Sequence, residues 1–281
     1  MLISNVVRDV VERALAEDLA GGDLTTEATV GEDILAIGRA VAREPLVACG
    51  ADVFANVFYC VDASLRVEVL LGDGNWAEQG QSLWEVEGSA RSILLAERTA
   101  LNFVQRMSGI ATLARRFVSE LPEGSQTRIT DTRKTTPGLR HLERYAVRTG
   151  GAFNHRDMLG SAVLIKDNHI EAAGGIETAI RNAQKHAPHT SRIEIEVESI
   201  DALVRALAAG ADIIMLDNFS LEQLDRAVAL TKGKALLEMS GGIGLGQIAE
   251  LAARGIDVIS VGALTHSAPA ADIALDIERS S

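Results

Sequence analysis

The sequence predicts an α/β protein whose second half is a parallel, barrel-type sheet. Three observations predict it. Beyond Pro122-Glu123-Gly124, short apolar runs end near Thr130, Ile165, Val197, Leu216, Glu238 and Val261. Helical patterns fill the intervals, and a repeated strand–helix unit of this size implies parallel strands. Polar groups follow every run: Asp131-Thr132-Arg133-Lys134, Lys166-Asp167-Asn168-His169, Glu196 to Glu198, Asp217-Asn218, Ser240-Gly241-Gly242 and Gly262-Ala263. A barrel gathers such strand ends around one mouth, whereas a doubly wound sheet uses mainly the ends beside its switch point. The barrel is therefore favoured. Six strands are fewer than eight, so it is either incomplete or has strands that the pattern hides.

The elements follow in order. Ile3, Val6, Val7, Val10, Val11, Ala14 and Leu15 give an N-terminal amphipathic helix, stopped by Gly21-Gly22-Asp23. Residues 34–90 carry short β-like runs and turn signals such as Gly72-Asp73-Gly74. A long helix is predicted over about Ser92–Ser119, bent or interrupted at Ser108-Gly109. Later helices are expected near Leu139–Thr149, Ile176–His186, Ile200–Ala209, Leu221–Thr231 and Gly246–Arg254.

Composition narrows the function classes. The 281 residues are 47% hydrophobic and 23% charged, which excludes disordered and low-complexity classes. Apolar runs such as Ala162–Ile165 and Ile213–Leu216 fall well short of the roughly 18 residues a membrane span needs. Cys49 and Cys60 cannot form a disulfide framework, so a cytoplasmic setting is expected. Net charge is −12, unsuited to general nucleic-acid binding. Yet seven basic residues stand against three acids between Asp131 and Lys166. Such a cationic island points to a pocket for a small, highly charged anion, the alternative being a solvated helix face.

Candidate groups follow from the strand ends. Ser240-Gly241-Gly242 and Gly262-Ala263 resemble a phosphate cradle, where glycines let backbone N–H groups approach an anion; the alternative is a pair of tight turns. In Glu194-Ile195-Glu196-Val197-Glu198 the three carboxylates share one strand face. Facing inward, they would need cations, and Glu196 with Asp217 would suit Mg²⁺. Lys134 and Lys166 would face these acids. Arg133, Arg140 and Arg156 are candidates for binding planar carboxylates, with His155 beside them.

These segments are similar to one known family. Asp131 to Arg140, Asn154-His155-Arg156, Leu164 to His169 and Ile214 to Phe219 resemble the signatures of quinolinate phosphoribosyltransferases. So do Gly22 to Thr26, Glu97 to Phe103, Ser108 to Thr112 and Ser260 to His266. The resemblance implies an N-terminal α/β sandwich over 1–108 and an incomplete α/β barrel over 109–266, with the tail 267–281 packing back on the first domain. It implies transfer of phosphoribosyl from phosphoribosyl pyrophosphate to quinolinate with Mg²⁺, giving nicotinate mononucleotide, pyrophosphate and CO₂. Arg133, Lys134, His155, Arg156 and Lys166 would line the quinolinate pocket, joined by Arg98 from a second subunit of a homodimer or hexamer. Lys134, Lys166, Glu196 and Asp217 would be catalytic, the last two holding the metal. Ser240, Gly241, Gly242, Gly262 and Ala263 would bind the 5-phosphate. Met239, Ala152, Gly160 and Ser161 depart from the family pattern, and none of them replaces a charged site group. A related molybdenum-transport-associated protein and a non-catalytic barrel that binds a phosphorylated metabolite are the alternatives.

Overall fold

A computed structural model describes residue 2 and residues 4–280. In chain order the first elements are α1 (Ser4–Asp18), α2 (Leu24–Thr29), β1 (Leu35–Ala42), β2 (Leu46–Val47), α3 (Ala51–Val61), β3 (Arg66–Val69), β4 (Trp76–Ala77), β5 (Ser82–Ser89) and α4 (Ala90–Ser119). Next come β6 (Arg128–Thr130), α5 (Arg140–Thr149), β7 (Val163–Ile165), α6 (Asp167–Ala173), α7 (Ile176–His186), β8 (Ile193–Val197), α8 (Ile200–Ala208), β9 (Ile213–Asp217) and α9 (Leu221–Thr231). The chain ends with β10 (Leu236–Ser240), a short 3₁₀ turn at Leu245–Gln247, α10 (Ile248–Ala253), β11 (Val258–Ser260), α11 (Ala263–His266) and β12 (Ile273–Arg279).

The chain forms two compact units. One takes the residues up to Arg115, Thr135–Gly151 and the chain from Ala263 onward; the other takes Arg116–Lys134 and Ala152–Gly262. The chain therefore passes from the second unit to the first immediately after Lys134, and again after Gly262. The join expected at 108/109 falls inside α4.

The first unit is built on an antiparallel sheet in the order β12-β1-β5-β3. Its C-terminal strand thus pairs with its first. Trp84 of β5 stacks near Phe54, 5.2 Å between ring centroids, and Phe54 on Phe58 at 4.8 Å; all three are fully buried. α1 buries Val7, Val10, Val11 and Leu15 on the expected 3.6-residue stripe; Ile3 lies outside the described residues. The Gly22–Thr26 motif is a helix start: Asp23 accepts the Thr26 N–H at 3.0 Å and caps α2.

α4 corrects one expectation. It runs unbroken through Ser108-Gly109. Ser108 accepts the Cys49 N–H at 3.1 Å, and Thr112 accepts that of Val47 at 2.8 Å, so the two hydroxyls satisfy backbone in β2 and just beyond it. A Cβ on Gly109 would fall 1.9 Å from the Pro269 carbonyl oxygen. This glycine permits a close crossing and does not break the helix.

The second unit holds the parallel sheet, in the order β6-β11-β10-β9-β8-β7. The first strand pairs with the last, Thr130 opposite Ser260. Consecutive strands that close on themselves in this way make a barrel, so the doubly wound alternative is excluded. β6 and β7 do not pair, which leaves the barrel incomplete; the Phe153 segment lies along the free edge of β6, its N–H donating to the Ile129 carbonyl at 2.8 Å. Three details differ from the sequence reading. β9 extends to Asp217 and β10 to Ser240, while β11 stops at Ser260. Gly246–Arg254 is a 3₁₀ turn followed by α10. A further helix, α6, starts directly after Lys166; the polar run Asp167-Asn168-His169 is its first turn, with the His169 ring accepting the Lys166 N–H at 3.1 Å.

Candidate active site

Polar side chains from seven segments of the second unit converge on one cavity of about 390 Å³ at the C-terminal ends of the parallel strands. After β6, Asp131 is fully buried and accepts from Asn154 Nδ2 at 2.6 Å and from the His155 N–H at 2.7 Å. It ties the 154–156 segment to the strand end that also presents Arg133 and Lys134. Those two, with His155 and Arg156, line the cavity.

Arg156 donates to the Ala162 carbonyl at 3.0 Å, but its buried Nε has no partner. Burial, and then the like charge of Arg133, lower its pKa. Two guanidiniums brought together at this cost, one with a donor unspent, constitute a site prepared for an anion.

His155 is held from both sides. In the neutral ring its Nδ1 accepts the Arg156 N–H at 2.8 Å, which puts that ring's proton on Nε2. Nε2 faces buried Glu194 at 3.2 Å and buried Glu238 at 3.5 Å. Burial alone lowers the affinity of the ring for a second proton, but the two carboxylates outweigh it and raise the pKa to about 10. Taking that proton requires Nδ1 to release the Arg156 N–H. By residue type His155, Glu194 and Glu238 form a possible metal cluster. The hydrogen bonding argues otherwise, because an Nε2 that carries a proton is not a ligand.

The second group lies on neighbouring strands. Glu196 at the end of β8 pairs with Lys166 at the end of β7. Asp217 closes β9; burial and then the nearby Glu196 raise its pKa, while Lys166 and Lys134 oppose this. Glu196, level with Met215, and Asp217, two residues further along β9, both line the cavity and offer oxygen ligands, the donor type that Mg²⁺ prefers. Of the expected row of three acids, Glu194 and Glu196 share the inward face of β8 as expected, and Glu198 does not. Glu194 points into the buried interior, Glu196 into the cavity, and Glu198 is exposed one residue beyond β8.

Ser240 and Ser260 reach the cavity from β10 and β11. Gly241 follows at φ 104°, and a Cβ there would meet Asn218 Oδ1 at 2.3 Å. Gly242 and Gly262 follow the same two strand ends, and Ala263 opens α11 in the first unit. Eight of the expected site residues, Arg133, Lys134, His155, Arg156, Lys166, Glu196, Asp217 and Ser240, line one cavity. Arg98 does not: it is exposed on α4 in the first unit, lining a separate cavity with Arg13 and Asn102. Arg140 also lies in the first unit, donating to Thr135 Oγ1 at 2.9 Å. Glu238 was not anticipated. Its signal was a lone acid in the apolar run Leu236-Leu237-Glu238-Met239, two residues before Ser240 and so on the same strand face.

Comparison with known proteins agrees with this geometry. Residues 23–108 match the quinolinate phosphoribosyl transferase N-terminal domain, and residues 110–276 match the C-terminal domain. The chain belongs to the quinolinate phosphoribosyltransferase family. It is 45% identical over 280 residues to the nicotinate-nucleotide pyrophosphorylase [carboxylating] of Mycobacterium leprae, covering 97% of this chain and 98% of the relative. A probable enzyme of the same name from Bacillus subtilis is 39% identical, covering 98% and 94%. Among solved structures, NadC from Streptococcus pyogenes superposes with a TM-score of 0.95 at 40% identity, covering 100% and 99% of the two chains. The nicotinate-nucleotide pyrophosphorylase from Francisella tularensis gives 0.94 at 42%, covering 99% and 98%. Among the described residues, no helix of this family member is long and apolar enough to cross a membrane.

Proposed function

We propose that this chain transfers the phosphoribosyl group of phosphoribosyl pyrophosphate to quinolinate and decarboxylates the adduct, yielding nicotinate mononucleotide, pyrophosphate and CO₂ for NAD synthesis in the cytoplasm. One observation carries the reading: a single cavity holds an arginine pair, two lysines and two strand-end carboxylates. A pyridine dicarboxylate needs the first, and a sugar pyrophosphate needs the rest.

Arg133 and Arg156 take the quinolinate carboxylates, with the unspent Arg156 Nε as one donor. As the bond to pyrophosphate breaks, the anomeric carbon gains positive charge, which a carboxylate at Glu196 or Asp217 stabilises. Lys134 and Lys166 stabilise the departing pyrophosphate. The ring nitrogen attacks from the opposite face, with no protein nucleophile. Once that nitrogen is quaternary, loss of the neighbouring carboxylate leaves its electron pair beside N⁺, and a proton then replaces it. The chain contributes chiefly by holding the reactants in this geometry, an effect worth up to about 7–11 kcal/mol. Glu196 and Asp217 would hold Mg²⁺, which when bound supplies Lewis-acid neutralisation of phosphate charge. Ser240, Gly241, Gly242, Gly262 and Ala263 cradle the 5-phosphate. Arg98 belongs to this reading as a group supplied to the cavity of a second subunit in a homodimer.

The test is direct. Purified protein with quinolinate, phosphoribosyl pyrophosphate and Mg²⁺ should consume quinolinate and form nicotinate mononucleotide, and EDTA should abolish this. Absence of turnover, with nicotinate tried in parallel, would overturn the reading. For the partner arginine, Arg98→Ala and Lys134→Ala homodimers should each be inactive, while mixing them restores activity. No recovery after demonstrated subunit exchange would refute sharing.

A further inference from the structure

The chain enters the first unit twice from the mouth of the barrel: after Lys134 and after Gly262. Each departure point is a site residue in the reading above. Inside the first unit, one side chain grips the beginning of both re-entering segments.

That side chain is Arg106 of α4. Its Nη2 donates to Glu143 Oε1 at 2.8 Å, and Nε reaches the same oxygen at 3.2 Å. Nη2 also donates to the Thr265 carbonyl and approaches Thr136 Oγ1 at 3.4 Å, while Nη1 donates to the Ala268 carbonyl at 3.1 Å. Glu143, only 1% exposed, uses its other oxygen to accept the Thr136 N–H at 3.1 Å. Thr136 is two residues past Lys134, and Thr265 is three past Gly262. The Thr136 carbonyl in turn accepts the Leu139 N–H at 3.0 Å, closing the turn that leads into α5.

The rest of α4 seats the same two segments. The Gln105 carbonyl accepts the Ala271 N–H at 2.9 Å, and its side chain donates to the Ile273 carbonyl at 2.8 Å. Arg115 Nε donates to the Gly150 carbonyl at 2.9 Å. Packing would keep these segments on α4 without a charge. A buried ion pair adds little stability over an apolar pair of the same volume, because desolvation offsets the attraction. What the planar guanidinium adds is direction: one rigid fork of donors holds two backbone carbonyls and one carboxylate.

We propose that Arg106, backed by Glu143, is a positioning residue that fixes where the chain leaves the barrel mouth at Lys134 and at Gly262, and so sets the placement of the Arg133–Lys134 cations and the 262–263 phosphate turn. It does not line the barrel-mouth cavity. The inference rests on the function proposed above.

The experiment uses the full chain and the variants Arg106→Lys, Arg106→Met and Glu143→Gln. Lysine keeps the charge but cannot serve the several acceptors at once, and glutamine keeps the shape of Glu143. Backbone hydrogen exchange should quicken at 135–139 and 263–268 and stay unchanged in β8 and β9. A misplacement on the ångström scale should lower kcat/KM by about 10²-fold in Arg106→Met, with the KM for phosphoribosyl pyrophosphate rising, and by about tenfold in Glu143→Gln. Local loosening with unaltered kinetic constants would overturn the proposal. Uniform loosening of the whole chain alongside lost activity would overturn it too, since the role would then be structural. If the wild type itself showed no turnover, the assigned reaction would fail separately. The clamp would then be decided by exchange and by pyrophosphate binding, which should weaken in all three variants; unchanged binding would refute it.

Discussion

The antiparallel sheet of the first unit and the parallel sheet of the second treat charge in opposite ways. In β12-β1-β5-β3, charged side chains lie along the strands. Arg39 of β1 pairs with Glu85 of β5 at 2.7 Å and with Glu278 of β12 at 2.9 Å, on the face that alternates with the core. Such exposed cross-strand pairs fix register and contribute little energy. In the parallel sheet, apart from exposed Arg128 at the start of β6, charge lies at the C-terminal ends of the strands or is drawn inside. Inside, it must be matched: Glu194 and Glu238 close on His155. The first sheet uses charge to finish a surface; the second concentrates it at a cost that only a ligand or a partner charge offsets.

The comparison can be broken most sharply by exchanging the readouts. Trp84→Ala, in the packed centre of the first unit, should cost about 3–5 kcal/mol of stability, measured by denaturant unfolding, while KM values hold at temperatures where the protein stays folded. A lost KM there would show that the antiparallel sheet shapes the site. Lys166→Ala should do the reverse. Loss of an electrostatic donor should lower kcat by about 10²–10³-fold with little change in unfolding midpoint, since its pair with Glu196 is partly exposed. Near-normal turnover would remove Lys166 from the machinery.

Gly109→Ala is expected to be smaller, about 1–3 kcal/mol of overpacking, because the added Cβ meets the Pro269 carbonyl. Thermal melts would register it, and an unchanged midpoint would mean that α4 and the 269 segment separate freely. The smallest effect belongs to the exposed α7–α8 pair. Arg205 holds the Glu177 carboxyl down at about 2. A lowered carboxylate pKa gives stability that is present above the ordinary carboxylate range and is lost as pH falls through about 2. Glu177→Gln should therefore match the wild type at pH 2 and fall marginally below it at pH 7. A gap that widened toward low pH would contradict the assignment.

Much of the site was legible because chemistry in a parallel barrel follows the strands. Arg133-Lys134, Lys166, Glu196, Asp217 and Ser240 each follow or close an apolar run, so locating the runs located them. Arg98 was different. Nothing in its helical surroundings marks a site, and in this chain it stands apart from the cavity. Glu238 was missed because one acid inside an apolar strand reads as an exception until a buried histidine appears opposite it. α6 was missed because its first turn is polar and its helical character comes from capping.

The sequence by itself determined the alternation of strands and helices, the strand ends and the cationic segment between them. These are local properties, set by side-chain periodicity and by which residues a covered strand tolerates. Tertiary structure alone decided that β6 pairs with β11 and so makes a barrel, that Glu194 and Glu238 share one imidazole, and that Ser108-Gly109 is a packing contact within a continuous helix. It also decided the partners of Arg106, which lie 37 and 162 residues away. Contacts between distant segments have no period to read; they exist only once the backbone has brought the two surfaces together.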